Sequence, residues 1–195
     1  MARLAVLASG NGSNFQAIVE TLRSAAGRHE CALLVHDRRA ACAAERAAKL
    51  GVPSLYVGYY KRDPLEAEAE ISAALDAARA DLVALAGFMR ILSPGFAAAW
   101  RGRMLNVHPS LLPEWPGAHA IERAYEAGER EFGVTVHFVD EGMDTGPVID
   151  QARFARPDGM TLSEVEARVH EIEHEIYPRA VLERLDGIEK ERRGR

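Results

Sequence analysis

The run Leu82-Val83-Ala84-Leu85-Ala86 is apolar without a break. Successive side chains of a strand point to opposite sides of a sheet, so a strand with this pattern must be covered on both faces. Four other strand-like runs accompany it in the first two thirds of the chain: Leu4 to Ser9, Cys31 to His36, Pro53 to Val57 and Met104 to His108. Helical patterns lie between them. Phe15, Ile18, Val19 and Leu22 recur at helical spacing, and Asp63-Pro64 offers a cap followed by a proline suited to a first helical turn. Strands alternating with helices predict an α/β fold built on a mostly parallel sheet.

Beyond His108 the pattern changes. Phe132 to Val139 alternates polar and apolar, and a Gly-rich loop leads to Val148 to Phe154. These read as later strands, with an antiparallel arrangement open to them. Thr161-Leu162-Ser163-Glu164 is a capping box, and Leu162, Val165, Val169, Ile172 and Ile176 follow at steps of three and four. They predict a long amphipathic helix that bends or breaks near Pro178. Residues 1–188 are expected to form one domain, and residues 189–195 a charged tail that frays because it has nothing to bury.

With 195 residues, 48% of them hydrophobic and 27% charged, the chain can build one sizeable core and is not a disordered segment. A formal net charge of −5 provides no general attraction to nucleic acid or an anionic membrane, so any anionic ligand must be captured locally. Leu4 to Ala8 is too short for a signal sequence or a membrane span. Cys31 and Cys42 have neither CxxC nor metal spacing, which points to free thiols in a cytoplasmic protein.

Gly10-Asn11-Gly12-Ser13-Asn14 follows the first strand and opens the first helix, where backbone N–H groups and the helix dipole form an anion cradle. It lacks the G-x-G-x-x-G spacing and the Gly-Lys-Ser/Thr of a P-loop, so it suits a monophosphate better than a dinucleotide or triphosphate. A plain Asn/Gly helix entry is the other reading of this loop.

Asn106-Val107-His108-Pro109 places an amide and an imidazole two residues apart on a strand, hence on one face, and the proline stops the strand. A catalytic pair and a turn Asn beside a hydrogen-bonded core His are both open. Asp140-Glu141-Gly142-Met143-Asp144 carries three carboxylates, and most such loops are solvated turns. Asp144 gains meaning only beside His108, where a carboxylate favours imidazolium and fixes the ring. His170-Glu171-Ile172-Glu173-His174 matches the zinc motif H-E-x-x-H, but the helix is Glu-rich and no third ligand follows, which favours a solvated helix face.

Gly10 to Asn14, Leu85 to Ser93, Leu105 to Pro113 with Pro116-Gly117, and Val136 to Val139 through Asp144-Thr145-Gly146-Pro147 together resemble the phosphoribosylglycinamide formyltransferase family. The resemblance runs from near Leu4 to about Pro178. It implies the formyltransferase fold, a Rossmann-like, mostly parallel twisted sheet with helices on both faces. It also implies transfer of a formyl group from 10-formyltetrahydrofolate to the amino group of glycinamide ribonucleotide in de novo purine synthesis. An amine attacking a formamide carbon builds negative charge on oxygen and needs a proton for the leaving nitrogen. In the family pattern Asn106 donates to the formyl oxygen, His108 is the proton donor, and Asp144 orients His108. Gly12, Ser13 and Asn14 match positions that hold the phosphate, and Glu173 one near the ribose. Met89, Arg90, Ile91 and Leu92 match the pterin wall, with Asn106 and the loop residues Asp140, Glu141, Gly142, Met143 and Asp144, while Arg62 matches a cation near the folate tail. Glu114 stands at a commonly basic position, and the family suggests a cis Leu112-Pro113 bond.

This chemistry calls for no metal, leaving His119 and His137 as supporting or packing residues, read as satisfied core histidines. The partners expected are small molecules, with neither nucleic acid nor membrane, and the chain is a monomer or homodimer. A zinc hydrolase on His170, Glu171 and His174 and a non-catalytic phosphoribosyl-binding module are the competing readings.

Overall fold

In the computed structural model, which describes residues 1–194, the strands are β1 (Arg3–Ala8), β2 (Glu30–His36), β3 (Ser54–Tyr56), β4 (Leu82–Leu85), β5 (Met104–His108), β6 (Glu131–Phe138) and β7 (Val148–Ala155). They form one sheet in the order β3-β2-β1-β4-β5-β6-β7. Pairing is parallel from β3 across to β5 and antiparallel for β5–β6 and β6–β7, which resolves the arrangement left open for the last two strands.

The helices are α1 (Ser13–Ser24), α2 (Cys42–Lys49), α3 (Pro64–Ala77), α4 (Pro94–Ala99), α5 (Ala120–Glu126) and α6 (Leu162–Arg193). The two-residue period of β1 divides the core. Leu4, Val6 and Ala8 pack with Phe15 and Ile18 of α1 and Val169, Tyr177 and Val181 of α6. Ala5 and Leu7 turn the other way, toward Ile71 and Leu75 of α3 and Phe96 of α4. β4 alternates in the same manner, which explains its unbroken apolar run.

Several elements start where their local chemistry dictates. The Asp63 carboxylate accepts from the Leu65 N–H, with Pro64 in the first turn of α3, and both halves of the Thr161–Glu164 capping box open α6. Of the bend or break expected near Pro178, the break is corrected, because α6 runs through the proline. An interior proline costs about 3 kcal/mol. Against it, Tyr177, Val181 and Leu185 are fully buried, each side chain contributing about 1.5–3 kcal/mol. The Tyr177 hydroxyl also lies 2.9 and 3.1 Å from the carbonyls of Leu85 and Leu105. The frayed tail is corrected as well: α6 stays helical to Arg193, while residue 195 lies outside the described residues. Ile188 is buried, Glu189 sits 2.7 Å from the N-terminal ammonium, and Arg192 pairs with Asp81, so this segment has partners after all.

Cys31 and Cys42 are free cysteines, and burial pushes the Cys31 thiol up to about 12. Among the described residues no helix is long and apolar enough to cross a membrane. The chain turns from β3 back across β1 to β4, so the loops after β1, β4 and β5 open on one sheet edge at the point where strand order reverses. That crevice is where open α/β sheets bind ligands.

Candidate active site

β5 ends in Asn106 and His108, whose neighbours Leu105 and Val107 face the core. β6 lies antiparallel beside it, with Asn106 opposite His137 and His108 opposite Thr135. Two polar pairs therefore share one face of the sheet. The Asn106 amide nitrogen lies 3.2 Å from His137 Nε2. His137 Nδ1 lies 2.8 Å from the Phe138 carbonyl, which can only accept, so Nδ1 carries a hydrogen; Nε2 accepts from Asn106 in the neutral ring and donates toward Asp144 in the protonated one.

The loop after β6 returns Asp144 to this pair. Asp144 Oδ2 is 3.3 Å from His108 Nδ1, and Oδ1 is 3.6 Å from His137 Nε2. The Gly117 N–H donates to Oδ2 at 2.8 Å. Burial pushes the Asp144 carboxyl upward, but His137, the Gly117 N–H and the charge of His108 outweigh it and bring the group down to about 2. His108 is buried, and its Nε2 donates to the Trp115 carbonyl at 2.9 Å. Both its ring nitrogens thus face oxygen acceptors, an arrangement that satisfies both N–H groups of a protonated ring.

The 140–147 loop holds its shape through short contacts. Asp140 Oδ1 accepts from the Gly142 N–H at 3.0 Å and the Thr145 hydroxyl at 2.8 Å, and Glu141 pairs with Arg101. A Cβ on Gly146 would lie 1.8 Å from the Phe138 carbonyl oxygen. These contacts make Gly142 and Gly146 packing residues of a tight loop. Met143 is exposed beside Gly117.

At the end of β1, Gly12 caps α1 in the left-handed region at φ 76°, with no side-chain cap, so the first N–H groups of α1 point out uncapped. A Cβ at Gly12 would also meet Ala43 of α2 at 2.7 Å. The glycine is therefore required by backbone shape and helix packing, beyond the close ligand approach read from the sequence. Arg46 of α2 donates to the Asn11 carbonyl and side chain. Asn14 meets Glu173 across the α1–α6 interface, its amide N–H donating to Oε2 at 2.9 Å. The same oxygen lies 3.0 Å from His170 Nδ1, and this hydrogen bond raises the His170 pKa. Asn14 Oδ1 and His174 Nε2 are buried with no partner.

After β4, segment 88–93 has no regular structure and exposes Met89 and Ile91 at 69% and 82%. Met89 N–H donates to the Ser9 hydroxyl, and Ser93 N–H to Glu68. Among the described residues, the backbone N–H groups of Arg90, Ile91 and Leu92 have no protein partner. An exposed apolar strip bearing free backbone donors fits the edge of a polar, flat heterocycle. Arg62 is held elsewhere: Glu66 and Glu70 of α3 take its guanidinium, and only its N–H to the Tyr59 carbonyl ties it toward this strip.

Asn106, His108 and Asp144 thus converge, as do Asn14 and Glu173. His137 is a buried histidine with partners at both ring nitrogens, as read from the sequence, and Thr135-x-His137 repeats the polar spacing of Asn106-x-His108. His119 is corrected: it is exposed, caps α5 in the left-handed region, and lies 3.2 Å from Glu122. In the H-E-x-x-H stretch Glu171 pairs with Arg168 and His170 with Glu173, and among the described residues no group of three or more His, Cys, Asp or Glu is placed to hold a metal. The Leu112-Pro113 bond is cis.

The formyl transferase family model matches residues 2–181. Phosphoribosylglycinamide formyltransferase of Bacillus subtilis is 42% identical over 96% of this chain and 96% of that protein. The trifunctional purine biosynthetic protein adenosine-3 of Drosophila melanogaster is 45% identical over 95% of this chain, which spans only 14% of that longer protein. The crystal structure of glycinamide ribonucleotide transformylase 1 from Symbiobacterium toebii superposes with a TM-score of 0.91 at 39% identity, covering 96% of this chain and 89% of that one. The matched span takes in β1 through the first 20 of the 32 residues of α6, and with it every residue of the polar constellation. The chain belongs to the formyl transferase family.

Proposed function

We propose that this chain transfers the formyl group of 10-formyltetrahydrofolate to the amino group of glycinamide ribonucleotide, without a metal, in the purine pathway of the cytoplasm. The observation that carries the reading is the 3.3 Å approach of His108 to Asp144, with Asn106 on the same face of β5.

Attack by the amine forms the new nitrogen–carbon bond and places negative charge on the formyl oxygen. Asn106, with one amide N–H given to His137, directs the other at that oxygen. Collapse then breaks the bond to the folate nitrogen, which takes a proton. His108 Nε2 is committed to Trp115, so Nδ1, on the Asp144 side, delivers that proton, and the proton shed by the amine replaces it. Asp144 stays ionised and balances the ring's charge. Gly12, Ser13 and Asn14 hold the phosphate with backbone N–H groups. Glu173 and the unpartnered Asn14 Oδ1 face the ribose hydroxyls, and the 89–92 strip and the 140–144 loop flank the pterin.

The test is an assay of purified protein with both substrates, repeated after exhaustive chelation and with glycinamide lacking the ribose phosphate. Turnover that survives chelation and is largely lost with the truncated amine is expected. A folded protein that makes no formylated product would refute the reading, and formyl transfer abolished by chelation and restored by zinc would contradict its metal-free step.

A further inference from the structure

Segment 88–93 lacks regular structure, yet it must present its free N–H groups in a fixed array. Its ends are tied by the Met89 N–H to Ser9 and by Ser93 to Glu68. Phe88 and Leu92 pack against the core, and between them one polar side chain ties the strip: the Arg90 guanidinium pairs with Asp37 and lies 4.9 Å from the centre of the Tyr59 ring. Tyr59 packs edge-on against Phe88, with ring centres 6.4 Å apart. The Asp37 side chain is 1% exposed whereas that of Arg90 is 39% exposed, so the acid is the fixed post and the arginine the strap. Asp37 follows the last residue of β2, which makes the post part of the sheet scaffold. Asp37 Oδ1 and the Tyr59 hydroxyl are buried without partners, so among the described residues Arg90 is the polar partner of this carboxylate.

We propose that Asp37 is a positioning residue for folate: through Arg90 it sets the conformation of the 88–93 strip and hence the affinity for the folate ring, with no part in the formyl-transfer step. This rests on the proposed folate-dependent reaction. Without the carboxylate the guanidinium swings into solvent, the free N–H groups of residues 90–92 lose their common orientation, and ring binding weakens while His108, Asp144 and the phosphate loop are untouched.

The experiment compares wild type, Asp37→Ala and Asp37→Asn by steady-state kinetics and by calorimetric titration with tetrahydrofolate. Asp37→Ala is expected to raise the folate KM and the tetrahydrofolate Kd by about tenfold, leaving kcat and the ribonucleotide KM within about twofold. Asp37→Asn keeps an acceptor for Arg90 and is expected to recover most of the loss. If Asp37→Ala fails to fold, Asp37→Leu fills the buried position without offering Arg90 an acceptor and must give the same split. Unchanged folate KM and Kd in a folded variant, or an equal fall in kcat and in affinity for both substrates, would overturn the inference. Wild-type protein that binds tetrahydrofolate but does not turn over would instead refute the catalytic reading, and the titration would still read the strap.

Discussion

Asp144 links the chemistry of the site to its acid sensitivity. Its carboxyl sits at about 2 in the fold against an ordinary 3.8, so the ionised form stabilises the fold above about pH 4. That contribution is lost as pH falls from about 4 toward 2. With allowance for solvent at this partly open loop it is worth about 1–2 kcal/mol. Urea midpoints of wild type and Asp144→Asn should therefore diverge at pH 6 and converge as the pH approaches 2; a gap independent of pH would contradict the assignment. His137 makes a second residue-level test. His137→Leu keeps a buried side chain of similar size but frees the Asn106 amide, and kcat should fall about 10- to 100-fold with little change in either KM. Asn106 and His108 were legible from sequence because polar groups two apart on a strand must share a face. The contact of His137 with Asn106 was not, because it depends on the β5–β6 register that sets the two opposite each other.

At the scale of elements, the βα loop after β1 separates two explanations for its glycines. Gly12 is left-handed and abuts Ala43 at 2.7 Å, whereas a Cβ at Gly10 meets nothing within 4 Å. Gly12→Ala should lower both thermal stability, by at least about 1 kcal/mol, and ribonucleotide affinity. Gly10→Ala should leave stability close to wild type. Equal melting temperatures for Gly12→Ala and wild type would show that the left-handed turn is not needed. At α6, Thr161→Ala removes the capping oxygen and should destabilise by about 1 kcal/mol in a denaturant titration. The parallel strands and the start of α6 were legible because their periodicity and caps are local signals. The length of α6 was not: Pro178 and the charged turns after Ile188 argue for an end, and only burial against the sheet and pairing with Asp81 and the N-terminus carry the helix onward. The short helices α2, α4 and α5 were not singled out for the related reason that eight, six and seven residues are too few to display a helical period.

At the scale of the molecule, the fold gathers segments that are remote in sequence: the loop after β1, the strip after β4 and the end of β5 share one sheet edge, and the loop between β6 and β7, which leaves β6 beside Met104, folds back to bring Asp144 to His108. The sequence motifs foretold the members of this assembly, and the fold supplies their meeting, above all that of His108 with Asp144. The claim that these two work as one proton-transfer unit is tested most directly by a kcat cycle of His108→Ala, Asp144→Asn and the double variant in the formyl-transfer assay. If they act together, each single variant loses about 10²- to 10⁴-fold and the double variant is little slower than His108→Ala alone. Losses that multiply in the double variant would mean that the two residues act independently and would contradict the account.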